Sequence, residues 1–236
     1  LSVDHQHFLL VSDLSDLPLR QRVWAAFMGL VVKAYYCRQA KTVCSSFYFP
    51  KLKPKYADTV QTGVLLRPEL LNATPEHGDH LCVYLRRHAS AALLQALRDL
   101  DVEARIYGIG ERPRDGKLWF REIAEQTFVE DLRTCAGLVS TAGNQLVGEA
   151  LWLEKPVFGM PEPGNEEQTI NGHFIEQSGA GMACSFDDVS VDDLRKFLDG
   201  LDKFRSRIDR NRLNGNDPTL RTIQEAIAAR EAVHAA

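Results

Sequence analysis

The sequence predicts an α/β protein: a doubly wound parallel sheet with a partial second α/β domain ahead of it. Three observations carry this expectation. Strand-like apolar runs and amphipathic helical runs alternate at least four times across residues 80–201, the order that builds βαβ units. One long stretch, 137–181, reads on its own as strand, small-residue turn, helix, strand, Pro/Gly loop and helix. Residues 1–56 hold pattern for two strands and one helix, which is too little for a whole domain.

Taken in order, residues 1–3 are a strand running into Asp4-His5-Gln6-His7. Residues 17–39 carry Val23, Phe27, Leu30, Val31 and Ala34 at helical spacing, and these side chains are expected in the core. Residues 42–49 are β-branched and aromatic, a strand; 50–56, rich in Lys and Pro, are a connector whose KLKPK run is a solvated loop or a face for an anion. A short strand over 60–66 enters LLRPELL, and polar residues 72–79 mark a turn. Then come a strand at 80–84, an amphipathic helix at 90–100, strands at 102–107 and 118–123, a loop AEQTF, and a helix at 129–135. The central unit follows: strand 137–141, turn 142–144, helix 145–153, strand 157–160. Gly179 ends the next helix, 181–185 is a last strand, and Ser190 with Asp193 forms a capping box for a helix over 191–201. The chain breaks at NGNDP and closes with a helix from 219 to about 233. The expected division is 1–66, an amino-terminal piece plus linker; 67–205, the main sheet domain; and 206–236, a tail and helix. Opening at Leu1 directly into a strand reads as a start inside a longer protein.

Composition excludes several classes. With 236 residues, 44% apolar and 25% charged, the chain is an ordinary globular one. A net charge of −4 without long charged runs argues against nucleic acid as a partner. Cys37, Cys44, Cys82, Cys135 and Cys184 show no CxxC spacing, so free, buried thiols in a reducing, cytoplasmic compartment are expected. The longest apolar run, 23–32, is ten residues, short of the roughly twenty that span a bilayer, so no transmembrane segment is expected.

The chemistry concentrates in 137–181. Thr141, Ala142, Gly143 and Asn144 have little bulk, so a ligand can approach the backbone where the first N–H groups of the next helix lack helical partners. Phosphate suits that place. Glu149, four residues after Gln145 and on the same helix face, suits a vicinal diol. Together they describe a nucleotide. The loop 161–168 leaves a strand at the same carboxyl edge and offers Asn165, Glu166, Glu167 and Gln168 to sugar hydroxyls. The plainer alternative is a common α/β connection with a glutamate complementing the helix macrodipole.

This ordered pattern resembles the Rossmann-like, nucleotide-sugar half of GT-B glycosyltransferases. It is similar to the lipid-II-forming N-acetylglucosaminyltransferase of peptidoglycan synthesis, and more so to a bacterial and archaeal family of predicted glycosyltransferases related to it. The likeness covers 62–181 well and 1–50 loosely, including VDHQH and the YFP run. It implies a hexosyltransferase with a UDP-sugar donor, an acceptor that is lipid-linked or a glycan, no metal and no cofactor, working in the cytoplasm or in peripheral contact with the inner face of the membrane. By the same resemblance, Ala142, Gly143, Asn144 and Gln145 hold the diphosphate, Glu149 the ribose hydroxyls, and Glu167 with Gln168 the donor sugar. The better-known relative has Gln-Gln at that last pair, so Glu167 departs from it and leaves the sugar open. The segment from Ile123 to Phe128 passes the base through backbone groups, Asn171 is structural, and the last helix crosses back onto the amino-terminal domain. No residue here is assigned as catalytic base; the resemblance puts it in the upstream domain, without which slow donor hydrolysis is expected at most. A UDP-sugar hydrolase or epimerase of the same fold, or a non-catalytic nucleotide-sugar-binding protein, remains open.

Other candidates are weaker. Arg86 and Arg87, with His88, follow a strand at the same edge and suit a diphosphate or serve as surface charges. His5 and His7, two apart on an expected strand, invite a metal with Asp4 or Asp13, but packed loop histidines or a substrate contact fit better. Gly108 to Gly110 lacks the third glycine of a dinucleotide fingerprint. Asp99-Leu-Asp101 resembles the metal-binding DxD of the other large glycosyltransferase fold but sits in a helix-to-strand turn.

Overall fold

Two parallel sheets organise the chain. A computed structural model describes residues 1–86 and 89–235, and its contacts group 1–66 with 211–236 in one unit and 67–210 in another.

In the first unit β1 (Ser2–Val3), α1 (Phe8–Val11), α2 (Leu19–Tyr35), β2 (Thr42–Ser45) and β3 (Val60–Thr62) build a three-stranded sheet of order β1-β2-β3, parallel throughout. The face of α2 differs from expectation. Val23, Phe27, Leu30 and Val31 are 44–65% exposed and Ala34 is also exposed, whereas Ala25, Gly29 and Val32 are buried. The physical reason is closeness of approach. At Gly29 a β-carbon would stand 2.8 Å from the Leu9 carbonyl oxygen, so only a small-residue face fits against α1. The histidines lie on a 3-10 turn, His5–His7, and not on a strand. His7 shares a 2.9 Å hydrogen bond with Ser2 Oγ, and His5 Nδ1 lies 3.3 Å from the Ser45 carbonyl. Burial pushes His5 down to about 4 and also lowers His7, leaving both uncharged at neutral pH. Among the described residues no group of three His, Cys, Asp or Glu is placed to hold a metal ion.

The second unit runs α3 (Pro68–Leu71), β4 (Leu81–Tyr84), α4 (Ala91–Leu100), β5 (Ala104–Tyr107), β6 (Leu118–Arg121), α5 (Glu125–Thr134), β7 (Gly137–Ser140), α6 (Asn144–Trp152), β8 (Val157–Gly159), α7 (Glu166–Ser178), β9 (Gly181–Ala183), α8 (Val191–Asp199) and α9 (Leu201–Arg205). Six parallel strands stand in the order β6-β5-β4-β7-β8-β9. The central ones are apolar almost without alternation, as strands covered on both faces must be: Leu81, Val83, Leu138, Val139, Val157 and Phe158 are wholly buried. Leu93 and Leu97 of α4 and Leu194 and Phe197 of α8 join Leu81, Val83, Val139 and Phe158 in one core cluster. The capping box at Ser190 and Asp193 forms as expected. Residues 211–236 return to the first unit, where α10 (Asn216–Ala235) starts three residues earlier than expected and Asn216 clasps both the N–H and the C=O of Leu66.

The AEQTF segment is not a loop. It forms the first turn of α5, with extended Ala124 as its N-cap and Glu125 favourably placed at the positive helix end. Buried Asp131 pins α5 to the sheet: its carboxylate meets Arg105 Nη1 at 2.6 Å and Arg121 Nη1 at 2.9 Å and accepts from the Tyr107 hydroxyl.

Two predictions concern stability. Gly108 has φ +92°, and a β-carbon there would lie 1.6 Å from the Leu85 carbonyl oxygen. Gly108→Ala is therefore expected to cost at least about 3 kcal/mol in urea unfolding. Lys155 is wholly buried, donates to the Glu76 carbonyl, and is pushed by burial from 10.5 to about 8. Between pH 8 and 10.5 the unfolded chain binds more protons at this group, so its contribution to stability rises with pH. Unfolding curves should show the wild type gaining on Lys155→Met across that window.

Candidate functional site

The strand order reverses between β4 and β7. The chain runs outward from β4 through β5 to β6, then returns to pair β7 on the other side of β4. Connections diverge at that point, and it is outside the carboxyl edge at such a point that ligands of open α/β sheets bind. Two expected segments emerge there: Arg86 after β4, and the turn from Thr141 to Gly143 after β7.

The turn is built from backbone. Ala142, wholly buried, has φ +58°; its N–H donates to Ser140 Oγ at 3.3 Å and its carbonyl accepts from Asn171 Nδ2 at 2.9 Å. Gly143 is the N-cap of α6 and brings no side-chain oxygen. The intrahelical ladder begins with Val147 N–H to the Gly143 carbonyl, 3.0 Å, so the N–H groups of Asn144, Gln145 and Leu146 lie outside it. With the positive end of the helix dipole behind them, these groups make a place for an anion.

Glu149 follows one turn later and is only 2% exposed. Its partner is Arg67, a residue that no sequence pattern singled out. Arg67 Nη2 lies 3.0 and 2.9 Å from the two carboxylate oxygens and Nε 3.3 Å from Oε1; Gln145 Nε2 adds a bond of 3.0 Å to Oε1. Oε1 thus receives three donors and Oε2 one. Arg67 Nη1 also reaches Glu125, at 3.1 Å. Burial works against the Arg67 charge, but Glu149 and Glu125 outweigh it and hold the guanidinium above its ordinary value.

The segment expected to meet the donor sugar is not all loop. Asn165 caps α7 by accepting from the Gln168 N–H at 3.2 Å, which places Glu166, Glu167 and Gln168 in the first helical turn. Gln168 is 3% exposed, and its amide is engaged by Glu162: Oε1 accepts from the Glu162 N–H at 2.8 Å and Nε2 lies 3.3 Å from the Glu162 carboxylate. Glu162 also pairs with Arg86 at 3.6 Å, linking the segments after β4 and β8. Glu162 is the second residue that sequence reasoning missed. Glu167 is half-buried.

The two ends of the segment expected to pass the base differ in exposure. Ile123 is 58% exposed in the segment ahead of α5. Phe128 is not available through its backbone N–H, which donates to the Ala124 carbonyl at 2.9 Å inside α5; its ring packs on Tyr84 and Tyr107. Arg87 and His88 lie outside the described residues. Asp101 caps α4 with φ +55° and pairs with Lys117, so with Asp99 it forms a helix-to-strand turn.

Comparison with known proteins now bears on this geometry. A family model described as glycosyl transferase family 1 matches residues 1–202. The chain belongs to that family. An "Uncharacterized glycosyltransferase" of Methanosarcina acetivorans is 25% identical to it over 108 residues, 42% of this chain and 28% of the relative. Among solved structures, the glycotransferase of kitacinnamycin superposes with a TM-score of 0.62 at 14% identity, covering 87% of this chain and 60% of the other. The spinosyn forosaminyltransferase SpnP gives 0.53 at 16% identity, covering 91% and 64%. The shared fold is that of GT-B glycosyltransferases. This family 1 chain thus spans less than two thirds of the length of each of these proteins.

Because Glu149 is buried, removing its cation alone leaves a carboxylate stranded. Arg67→Ala is expected to cost about 3 kcal/mol in denaturant unfolding, and about 1 kcal/mol or less in a Glu149→Ala background.

Proposed function

We propose that this family 1 chain is the donor-binding part of a glycosyltransferase that moves a sugar from a UDP-sugar to an acceptor hydroxyl, releasing UDP, without a metal ion. The observation that carries the reading is the start of α6 behind Ala142 and Gly143, whose N-cap brings no side-chain oxygen, at the carboxyl edge of the sheet, with a buried carboxylate one turn further in.

Each part of the donor then has a place. The diphosphate lies on the N–H groups of Gly143, Asn144 and Gln145, with the exposed Arg86 guanidinium as an added cation after β4. As the glycosidic bond breaks, charge develops on the leaving phosphate oxygen, and fixed N–H dipoles stabilise it without rearranging. A ribose hydroxyl donates to Glu149 Oε2, the oxygen that Arg67 leaves less occupied. The base passes exposed Ile123. The first turn of α7, with Glu167 and Gln168, faces the donor sugar, and Glu162 fixes the Gln168 amide through both its backbone and its carboxylate. No helix among the described residues is long and apolar enough to cross a membrane. A nucleotide-sugar donor and free thiols at all five cysteines, of which Cys37 is exposed and not buried as expected, support a cytoplasmic setting.

Calorimetric titration with UDP tests the site. Hydrogen bonds to charged groups are worth about 1.5–3 kcal/mol, so Glu149→Ala should weaken UDP at least about tenfold, and 2′-deoxy-UDP should bind the wild type less well than UDP. Equal affinity in the variant would remove Glu149 from the site. Excess chelator should leave the wild-type titration unchanged. Loss of binding on chelation would reinstate a metal.

A further inference from the structure

Three non-glycine residues among those described have positive φ: Asp101, Ala142 and Glu154. Asp101 and Glu154 end helices α4 and α6, where the left-handed conformation is ordinary. Ala142 does not. It lies between a strand and a helix, wholly buried, with no polar side chain to bond its own backbone. Alanine disfavours this conformation by roughly tenfold, so the surroundings must hold it there.

The holder is visible. Asn171, wholly buried in α7, donates from Nδ2 to the Ala142 carbonyl at 2.9 Å. That carbonyl and the N–H of Gly143 belong to one planar peptide group. Fixing the carbonyl on the α7 side therefore aims the Gly143 N–H to the opposite side. A β-carbon built at Gly159 would stand 3.4 Å from the Ala142 methyl, an ordinary contact, so the turn passes close to β8 at this glycine. Asn171 also sits one turn beyond Gln168, on the helix whose first turn carries the sugar-side residues.

We propose that Asn171 is the positioning residue of the anion-binding turn: its amide clamps the Ala142 carbonyl, keeps Ala142 left-handed, and so aims the N–H groups of Gly143 and the start of α6 at the donor diphosphate. This deepens the functional reading above and rests on it for the identity of the anion. Asn171 acts through the turn and needs no contact with substrate.

The test separates the clamp from the reading. In the ligand-free protein, amide hydrogen exchange across residues 142–146 should quicken in Asn171→Ala while the remainder of the sheet keeps its protection. UDP affinity by calorimetry should fall roughly tenfold, the left-handed penalty now having to be met by the ligand. Adding Ala142→Gly to Asn171→Ala should restore most of that affinity, because glycine adopts this φ without penalty. A purely structural role, or a direct bond from Asn171 Oδ1 to the ligand, would leave the loss unrescued and overturn the proposal. Unchanged exchange at 142–146 overturns it as well. Should the wild type fail to bind UDP, the functional reading falls and the exchange comparison still decides the clamp. Asn171→Leu, which keeps the volume and loses the donor, serves where the alanine variant does not fold.

Discussion

The common direction of the strands in the larger sheet governs everything that happens at its edge. Because β4 and β7 are parallel neighbours joined through a long detour by way of β5 and β6, both release their chains at one end, side by side. A helix that starts there presents its first N–H groups, which lie outside the intrahelical ladder, and its positive dipole end together. No side chain is needed to make that place attractive to an anion, and the residues at it are accordingly small. What the side chains around it do is hold backbone: Ser140 and Asn171 grip the two polar groups of Ala142 from below and from α7.

Two buried carboxylates show how the same interaction serves different ends. Asp131 is surrounded by Arg105, Arg121 and the Tyr107 hydroxyl, all from β5 and β6, and so locks α5 onto the strands it must cover. Glu149 has one guanidinium, from Arg67, and a neighbouring amide, and its Oε2 carries a single bond. Removing a charge from water is tolerated only when it is paired and hydrogen-bonded. The first pairing is saturated and rigid, while the second leaves an acceptor beside the helix start. The Glu162 contacts extend the same logic along the edge, since one carboxylate joins Arg86 after β4 to Gln168 at the start of α7.

The fold was largely legible because each strand of the central sheet is a short apolar run closed by a turn, and such runs declare themselves whatever their neighbours do. The turn between β7 and α6 was legible for the same reason: Thr141 to Gln145 is a local signal, small residues between a strand and a helix. Capping at Ser190 and Asp193 needs only four residues to be seen. Local readings failed where a second segment chose the outcome. The apolar stripe of α2 announced a helix but not its inner face, because proximity to α1 selected Ala25 and Gly29 over Val23 and Phe27. AEQTF lacked apolar periodicity, yet Asp131 and its cations carried the helix back to Glu125.

The sequence by itself determined the parallel α/β class, the small-residue turn ahead of α6 and the carboxylate one turn beyond it, since all of these lie within one contiguous stretch. Only the tertiary structure decided what those groups face. Arg67 meets Glu149 across 82 residues, and Asn171 meets Ala142 across 29. No spacing rule links such pairs. They exist because parallel strands bring distant segments to one edge, where a buried charge or a strained peptide must find its partner.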